Sequence, residues 1–375
     1  MKAYKYRIYP NKQQIELMNK HFGCVRFVYN WGLEQKVKSY QVDSRNVTCF
    51  DLVNKLKADL KVQNVWLTEV NSQSLQMALR NLDNAFTKFF KKTAKFPRFK
   101  NKHDRQSFQC PQFCTVDFNK HTVNLPKLKG IKAALHRKFT GKIKTVTISK
   151  TATNKFFASI LVDDGVLFPK TCISTKENSV GVDLGIKDFA VLSTGEKIKN
   201  PRHLKKSENE LAKLQKQLSK KKKGSSNRSK ARHNVALLYE KITNQRKDFL
   251  HKLSKRLIDE NQAICLEDLA VQNMLKNKKL AKHISDVSWS IFRSFCTYKA
   301  EWYGKDVRII GRFEPSSKMC NKCGTINRNL TLGDRVWTCI CGTTHDRDIL
   351  AANNILNFAF IRNSDSKSTV GTAGC

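Results

Sequence analysis

Polar and apolar residues alternate from the first positions of the chain. Tyr4, Tyr6 and Ile8 alternate with Lys5, Arg7 and Tyr9 until Pro10 stops the run, which predicts a half-buried strand. From about Lys12 to Lys92 the period becomes helical: Phe22 to Trp31 reads as an aromatic helical stretch, and Leu75, Leu79, Leu82, Phe86 and Phe89 share one helix face. This block is expected to be a small helical bundle. Phe96-Pro97-Arg98-Phe99 ends it, and short strands return. Val146 and Ile148 alternate with Thr145 and Thr147, and Phe156, Ala158, Ile160 and Val162 form a second run after a turn near Asn154. Together with the N-terminal strand they suggest one β-barrel interrupted by the helical block.

Near Ser179 the pattern changes. Strands are expected at Val180–Asp183, Asp188–Leu192 and Glu196–Ile198, then two long helices over about 203–222 and 230–258, separated by the basic hinge Lys220-Lys221-Lys222-Lys223-Gly224. Leu211, Leu214 and Leu218 mark an apolar face on one helix, Val235, Leu238 and Ile242 on the other. A buried strand at Ala263–Leu266, a helix at Ser288–Gly304 carrying Trp289, Phe292, Phe295 and Trp302, a strand at Val307–Ile310 and a last helix from about Ile349 to Phe360 follow. The tail Asn363–Cys375 is polar and rich in Ser, Thr and Gly, and is expected to be disordered.

Charge narrows the class. Among 375 residues, 40% are hydrophobic, enough for a sizeable core, but 70 Lys+Arg face 31 Asp+Glu, leaving +39. Such a charge repels itself unless a polyanion neutralises it, and nucleic acid does so by releasing counterions. Residues 201–256 hold 18 Lys+Arg against 4 Asp+Glu, so Lys220, Lys221, Lys222, Lys223, Arg228 and Arg232 are candidate phosphate contacts rather than a merely solvated face. No continuous apolar span of about 18 residues marks a membrane segment, and Met1 to Arg7 alternates like a strand rather than a signal peptide. Twelve cysteines without a secretory signal argue against a disulfide framework; the scattered eight read as ordinary thiols.

Two constellations carry chemistry. Asp183 ends the apolar run after Val180-Gly181-Val182, Glu267 ends Ala263-Ile264-Cys265-Leu266, and Asp348 opens the last helix. Three separate carboxylates converging in a very basic chain suggest two Mg²⁺ or Mn²⁺ ions, about 3.5–4 Å apart, cutting a phosphodiester. Asp346, Asp188 and Asp268 are better read as turn or cap residues. The second constellation is Cys320-x2-Cys323 with Cys339-x1-Cys341, the form of a zinc ribbon for one Zn²⁺; the short second pair leaves His345 as a replacement ligand, and packing around Trp337 without metal is the alternative.

These residues resemble the TnpB family of insertion-sequence-encoded, RNA-guided DNA endonucleases, relatives of type V CRISPR effectors. The matching segments run nearly end to end: Lys5-Tyr6-Arg7-Ile8-Tyr9-Pro10, Arg26-Phe27-Val28-Tyr29-Asn30, Phe96-Pro97-Arg98-Phe99, Gly181-Val182-Asp183-Leu184-Gly185, Asn244 to Leu253, Glu267-Asp268-Leu269, the cysteine cluster and Asp346-Arg347-Asp348. The resemblance implies a multidomain α+β chain. A wedge β-barrel (1–11 and 96–177) holds an inserted helical recognition lobe (12–95). An RNase H-like α/β RuvC domain (178–317 and 344–362) is interrupted by a zinc ribbon (318–343), and a tail (363–375) follows. It implies Asp183, Glu267 and Asp348 as catalytic, with Asp348 rather than Asp346 in the third place. It implies a guide RNA from the element's end, a double-stranded DNA target, a flanking motif read near Ser72, Gln73 and Gln76, and a bacterial cytoplasmic, nucleoid-associated location. The family's acidic motif has Asn where this chain has Leu350, which is expected to weaken support of the site and keeps an RNA-guided repressor that does not cut as the alternative. A strand-joining transposase is the other competitor. Oligomeric state stays open.

Overall fold

The opening alternation becomes strand β1 (Lys2–Tyr9), with Tyr6 and Ile8 fully buried. The computed structural model describes residues 1–44, 46–277, 280–331 and 333–365. The chain divides after Val166 into two units.

In the first unit, Asn11 and Gln14 form a capping box that starts helix α1 (Lys12–Asp43), and Thr48 with Asp51 does the same for α2 (Cys49–Lys55). A π turn (Leu56–Leu60), the short α3 (Lys61–Gln63) and a 3-10 turn (Val65–Glu69) lead to α4 (Ser72–Phe90), capped by Asn71. Leu33, Leu52, Leu56, Leu67, Leu75, Leu79 and Leu82 form the core of this bundle. Six further strands follow: β2 (Gln106–Cys110), β3 (Thr115–Asp117), β4 (Thr122–Leu125), β5 (Leu128–Ala133), β6 (Lys142–Lys150) and β7 (Phe156–Asp163). They join β1 in one seven-stranded sheet of order β2-β6-β7-β1-β5-β4-β3. The edge strands β2 and β3 are consecutive in the chain. Five steps from Cys110 to Thr115 reach at most about 18 Å, whereas a flat sheet of this width would separate its edges by roughly 29 Å. The sheet is therefore rolled, around Tyr6, Ile8, Phe108, Val123, Ile131, Val146, Ile148 and Ile160.

The second unit is built on a five-stranded sheet. Strands β8 (Ser179–Leu184), β9 (Asp188–Leu192) and β10 (Lys197–Lys199) are antiparallel; β11 (Ala263–Glu267) adds parallel to β8, and β12 (Asp306–Ile310) parallel to β11, giving the order β10-β9-β8-β11-β12. Between β10 and β11 run α5 (His203–Lys206), α6 (Glu208–Ser219) and α7 (Ser226–Glu260). The single helix expected over 203–222 is thus broken at Ser207, whose φ of −99° and ψ of 5° leave the helical region. Leu211, Val235, Leu238 and Ile242 close α6 on α7. After β11 come α8 (Val271–Met274), α9 (Ala281–Val287) and α10 (Trp289–Tyr303). The small hairpin β13 (Val336–Thr338) and β14 (Thr344–Asp346) precedes α11 (Arg347–Asp365). That helix runs through the first three positions assigned to a disordered tail; 366–375 lie outside the described residues. Leu250, Leu253, Leu257, Phe292 and Cys296 cover one face of the sheet, and Ile355 and Ala359 of α11 cover the other with Cys265 and Ile310. Among the described residues no helix is long and apolar enough to cross a membrane.

Candidate active site and cysteine cluster

Strand parity decides where the first two carboxylates point. Val180, Val182 and Leu184 of β8, with Ile264 and Leu266 of β11, pack into the layer of α7 and α10. The intervening residues face α11, as Cys265 does through its contact with Ile355. Asp183 and Glu267 share that parity, and the register pairs Cys265 with Gly181. They emerge side by side at the carboxyl ends of adjacent parallel strands, where open α/β sheets place ligands. Gly181 lets α11 come close: a Cβ there would lie 2.0 Å from the Ala352 carbonyl oxygen. The helix rests directly on β8, and its first turn carries Asp348.

Asp183 feels the other two carboxylates. Burial first, then the charges of Glu267 and Asp348, push the Asp183 carboxyl up to about 7, against the opposing pull of Arg347 and Arg335. Ser316 donates to Glu267 Oε1 at 2.6 Å, and Asn354 donates to the carbonyls of Ser316 at 2.7 Å and Met319 at 2.6 Å, tying this segment to α11. Arg335 Nη1 lies 3.3 and 3.4 Å from the two oxygens of Asp348. Asp346 plays the cap role expected of it, accepting from the amides of Asp348 and Ile349 while pairing with Lys197 at 2.6 Å. Asp268 is held by Arg293 and Arg312 at 3.0 and 2.5 Å, and Asp188 opens β9. Gly181, Ser316, Arg335 and Asn354 carried no local sequence signal. Among the described residues, the group of side chains close enough to hold a metal ion as they stand is that of the four cysteines.

The four cysteines do converge. Sγ atoms of Cys320 and Cys341 lie 3.7 Å apart, those of Cys323 and Cys339 3.5 Å, and all four fall within 4.8 Å of one another. A tetrahedron with Zn–S bonds near 2.3 Å has edges of about 3.8 Å, so the sulfurs fit one Zn²⁺. Gly324 and Gly342, with φ of 76° and 79°, make the two knuckle turns, so the shorter second pair still delivers both sulfurs. The Thr343 hydroxyl and amide hold the Cys341 thiol low, at about 6. His345 sits beside the cluster, its Nε2 3.1 Å from Cys320 Sγ. Leu350 packs with Cys320, Leu330, Trp337 and Cys339, so an apolar residue there completes the cysteine segment's core.

The candidate nucleic-acid residues fall in both units. Ser72 accepts from Lys61 at 2.7 Å, Gln73 donates to Gln112 at 2.7 Å, and Gln76 is half-buried. Lys220, Lys221, Lys222 and Lys223 are exposed in the turn between α6 and α7, as is Arg232 on α7. Arg228 instead donates to the carbonyls of Leu218 at 2.9 Å and Lys221 at 2.8 Å, closing that turn.

Three family models match: a "probable transposase" over residues 169–278, a "Cas12f1-like, TNB domain" over 289–355 and a "helix-turn-helix domain" over 1–44. The last name does not describe the fold here, since β1 and the single helix α1 occupy that stretch. A "Putative RNA-guided DNA endonuclease" of Streptomyces pristinaespiralis is 41% identical over 361 residues, spanning 95% of this chain and 88% of the relative. The chain belongs to the TnpB family. InsQ of Escherichia coli K12, which carries the same description, is 30% identical over 373 residues, covering 95% of this TnpB-family chain and 92% of its own. A solved Cas12f1–sgRNA–target DNA complex shares the mixed α/β fold with a TM-score of 0.54 at 14% identity, covering 92% of this chain and 83% of that one.

Proposed function

We propose that this protein is an RNA-guided DNA endonuclease that cuts guide-matched DNA beside a short flanking motif. The observation that carries the reading is the meeting of Asp183, Glu267 and Asp348 at the carboxyl ends of β8 and β11 and the start of α11, close enough for two of them to raise the third. Strand order and the helix on the acidic face support an RNase H-like RuvC nuclease over 178–317 and 344–362. The cysteine segment over 318–343 supports a zinc ribbon holding one Zn²⁺. The rolled sheet supports a wedge barrel over 1–11 and 96–177, with the helices of 12–95 as its inserted recognition lobe.

Asp183, Glu267 and Asp348 would hold two Mg²⁺ or Mn²⁺ ions. Bound there, such ions activate water and stabilise charge on the scissile phosphate. The chain's own residues prepare that site. Ser316 fixes one Glu267 oxygen. Asp346 locks the first turn of α11, so Asp348 is delivered at a defined position. Arg335 pairs with Asp348 and offsets its charge. Burial and the two neighbouring carboxylates raise Asp183 to about 7, so near neutrality it exchanges a proton with solvent, and a divalent cation held there would favour its charged form. Lys220, Lys221, Lys222, Lys223 and Arg232 offer phosphate contacts to a guide RNA made from the element's end, and Ser72, Gln73 and Gln76 are proposed to face the flanking motif in double-stranded DNA. The setting is the bacterial cytoplasm, at the nucleoid. The alternative is an RNA-guided repressor that binds without cutting, which the test below separates.

The test is the complex purified with its co-expressed flanking RNA, offered a guide-matched target behind a randomised flank, with Mg²⁺ and with EDTA. Mg²⁺-dependent cutting restricted to few flanks is expected, abolished by Asp183→Ala with RNA and target binding kept. Guide-dependent binding without cutting, or cutting that survives Asp183→Ala, would overturn the proposal.

A further inference from the structure

The end of α4 and the segment after it present a surface that the acidic site does not use. Phe90, Phe96 and Phe99 are 72%, 51% and 58% exposed. Scattered exposed apolar residues need no explanation, but here three exposed rings fall within ten residues, two of them joined through Phe89, and clustered apolar surface marks interaction sites. The rings are held in place. Phe96 packs edge-on to Phe86 and Phe89 at 5.5 and 5.3 Å, Phe89 touches Phe90 at 5.3 Å, and Asn30 fixes Lys100 through both its amide and carbonyl at 2.8 and 2.9 Å. Lys92, at φ 56°, turns the chain out of the helix.

The setting is cationic. Seven Lys and Arg lie between Lys88 and Lys102, and no Asp or Glu occurs from Asn84 to His103. Among these cations Arg98 has a carboxylate partner, Asp104 at 3.3 Å, while Lys91, Lys92 and Lys95 are exposed. The occupant must then be anionic along its length and present flat apolar faces. A phosphodiester strand with unpaired bases does both; a duplex hides its base faces within the stack.

We infer that Phe90, Phe96 and Phe99, flanked by Lys91, Lys92 and Lys95, form a stacking platform for unpaired nucleotides of a nucleic-acid strand. The inference rests on the nucleic-acid part of the proposed function and not on cleavage. The rings contribute the sequence-tolerant grip and the lysines the salt-sensitive one. Because Phe96 is already braced by two neighbours, little ordering is needed when a base arrives.

Binding of labelled 15-nucleotide RNA, the same sequence as DNA, and the 15-base-pair duplex to the full chain freed of nucleic acid tests this over a salt series. Phe90→Ala and Phe99→Ala should each weaken single-strand binding roughly fivefold or more, leave the log–log salt slope unchanged and spare the duplex. Lys91→Ala and Lys95→Ala should each lower that slope by about 0.7. Phe99→Trp should restore affinity, and its indole emission should be quenched by the strand. The RNA and DNA arms say which strand is preferred. Unchanged single-strand affinity in both alanine variants, with melting unaltered, overturns the platform. So does a loss seen only with phosphatidylglycerol vesicles, which would make the patch a lipid contact. Mg²⁺-dependent cutting by the same preparation is scored separately, so a failure of the nuclease reading is not mistaken for a failure of the platform.

Discussion

Removing the charge at Asp183 should stabilise the metal-free protein, and by an amount that depends on pH. Its folded-state pKa is raised to about 7, above an unfolded value near 3.9. The folded chain therefore keeps a proton that the unfolded chain has released, and stability falls as pH rises between those values and is level above the upper one. At 1.36 kcal/mol per unit, the cost is roughly 4 kcal/mol at pH 8 and about 1.5 kcal/mol at pH 5. Asp183→Asn mimics the protonated group and does not titrate. Its advantage over the parent should grow by up to roughly 3 kcal/mol between pH 5 and pH 8, an upper figure because the residue keeps some solvent contact. In the second unit this corresponds to at most about 6–12 °C. Thermal melts of both proteins in EDTA at the two pH values read it directly. Adding Mg²⁺ at pH 8 should raise the parent's melting temperature and leave the variant nearly unmoved. An advantage that is equal at both pH values, or absent, would refute the account of Asp183 as a strained carboxylate in an acidic cluster.

Three further outcomes follow from the geometry. Gly181→Ala should cost about 1–3 kcal/mol and reduce cutting more than target binding in EDTA, because the new methyl collides with the backbone of α11; cutting at parental rate would mean that the helix has slack. Cys323→Ser or Cys341→Ser should lower bound zinc by about one ion per chain, measured by elemental analysis, and lower melting temperature; unchanged metal content would leave the sulfurs as packing. Asp286→Ala should destabilise by about 1–3 kcal/mol, since it strips partners from Arg246, held at 2.7 Å, and from the Leu204 amide; denaturant unfolding reads this, and no change would mean that water replaces the carboxylate.

Local periodicity made β1, α4, β6, β7, β8, β9 and β11 legible, because each alternates or repeats over a length that averages out single exceptions. Strands β2 to β5 escaped. β3 has three residues and none fully buried, and β5 buries Leu128, Ile131 and Ala133 at a spacing that does not alternate. The three candidate catalytic carboxylates could be named from strand ends and a helix start, but what surrounds them could not. Ser316 reaches Glu267 and Gly181 meets Ala352 across long stretches of chain, and Arg335 reaches Asp348 across the β13–β14 hairpin; such pairs leave no periodic trace in the sequence. Leu350 shows the converse. A motif position read as supporting one site also packs into the core of the neighbouring one.

The place of β1 in the middle of its sheet governs how the first unit is made. Lys2 pairs with Val162 and Ile8 with Phe156 on one side, while Ile8 and Tyr9 meet Ala133 and Lys132 on the other. A ribosome adding about 5–20 residues per second leaves this strand unpaired for on the order of 10–30 s, while α1 to α4 find their contacts nearby. The sheet carries the high contact order and is expected to close last, so a refolding experiment should show early helix and late strand signal. The chaperone-exposed moment in this protein's life is the interval before β7 leaves the exit tunnel.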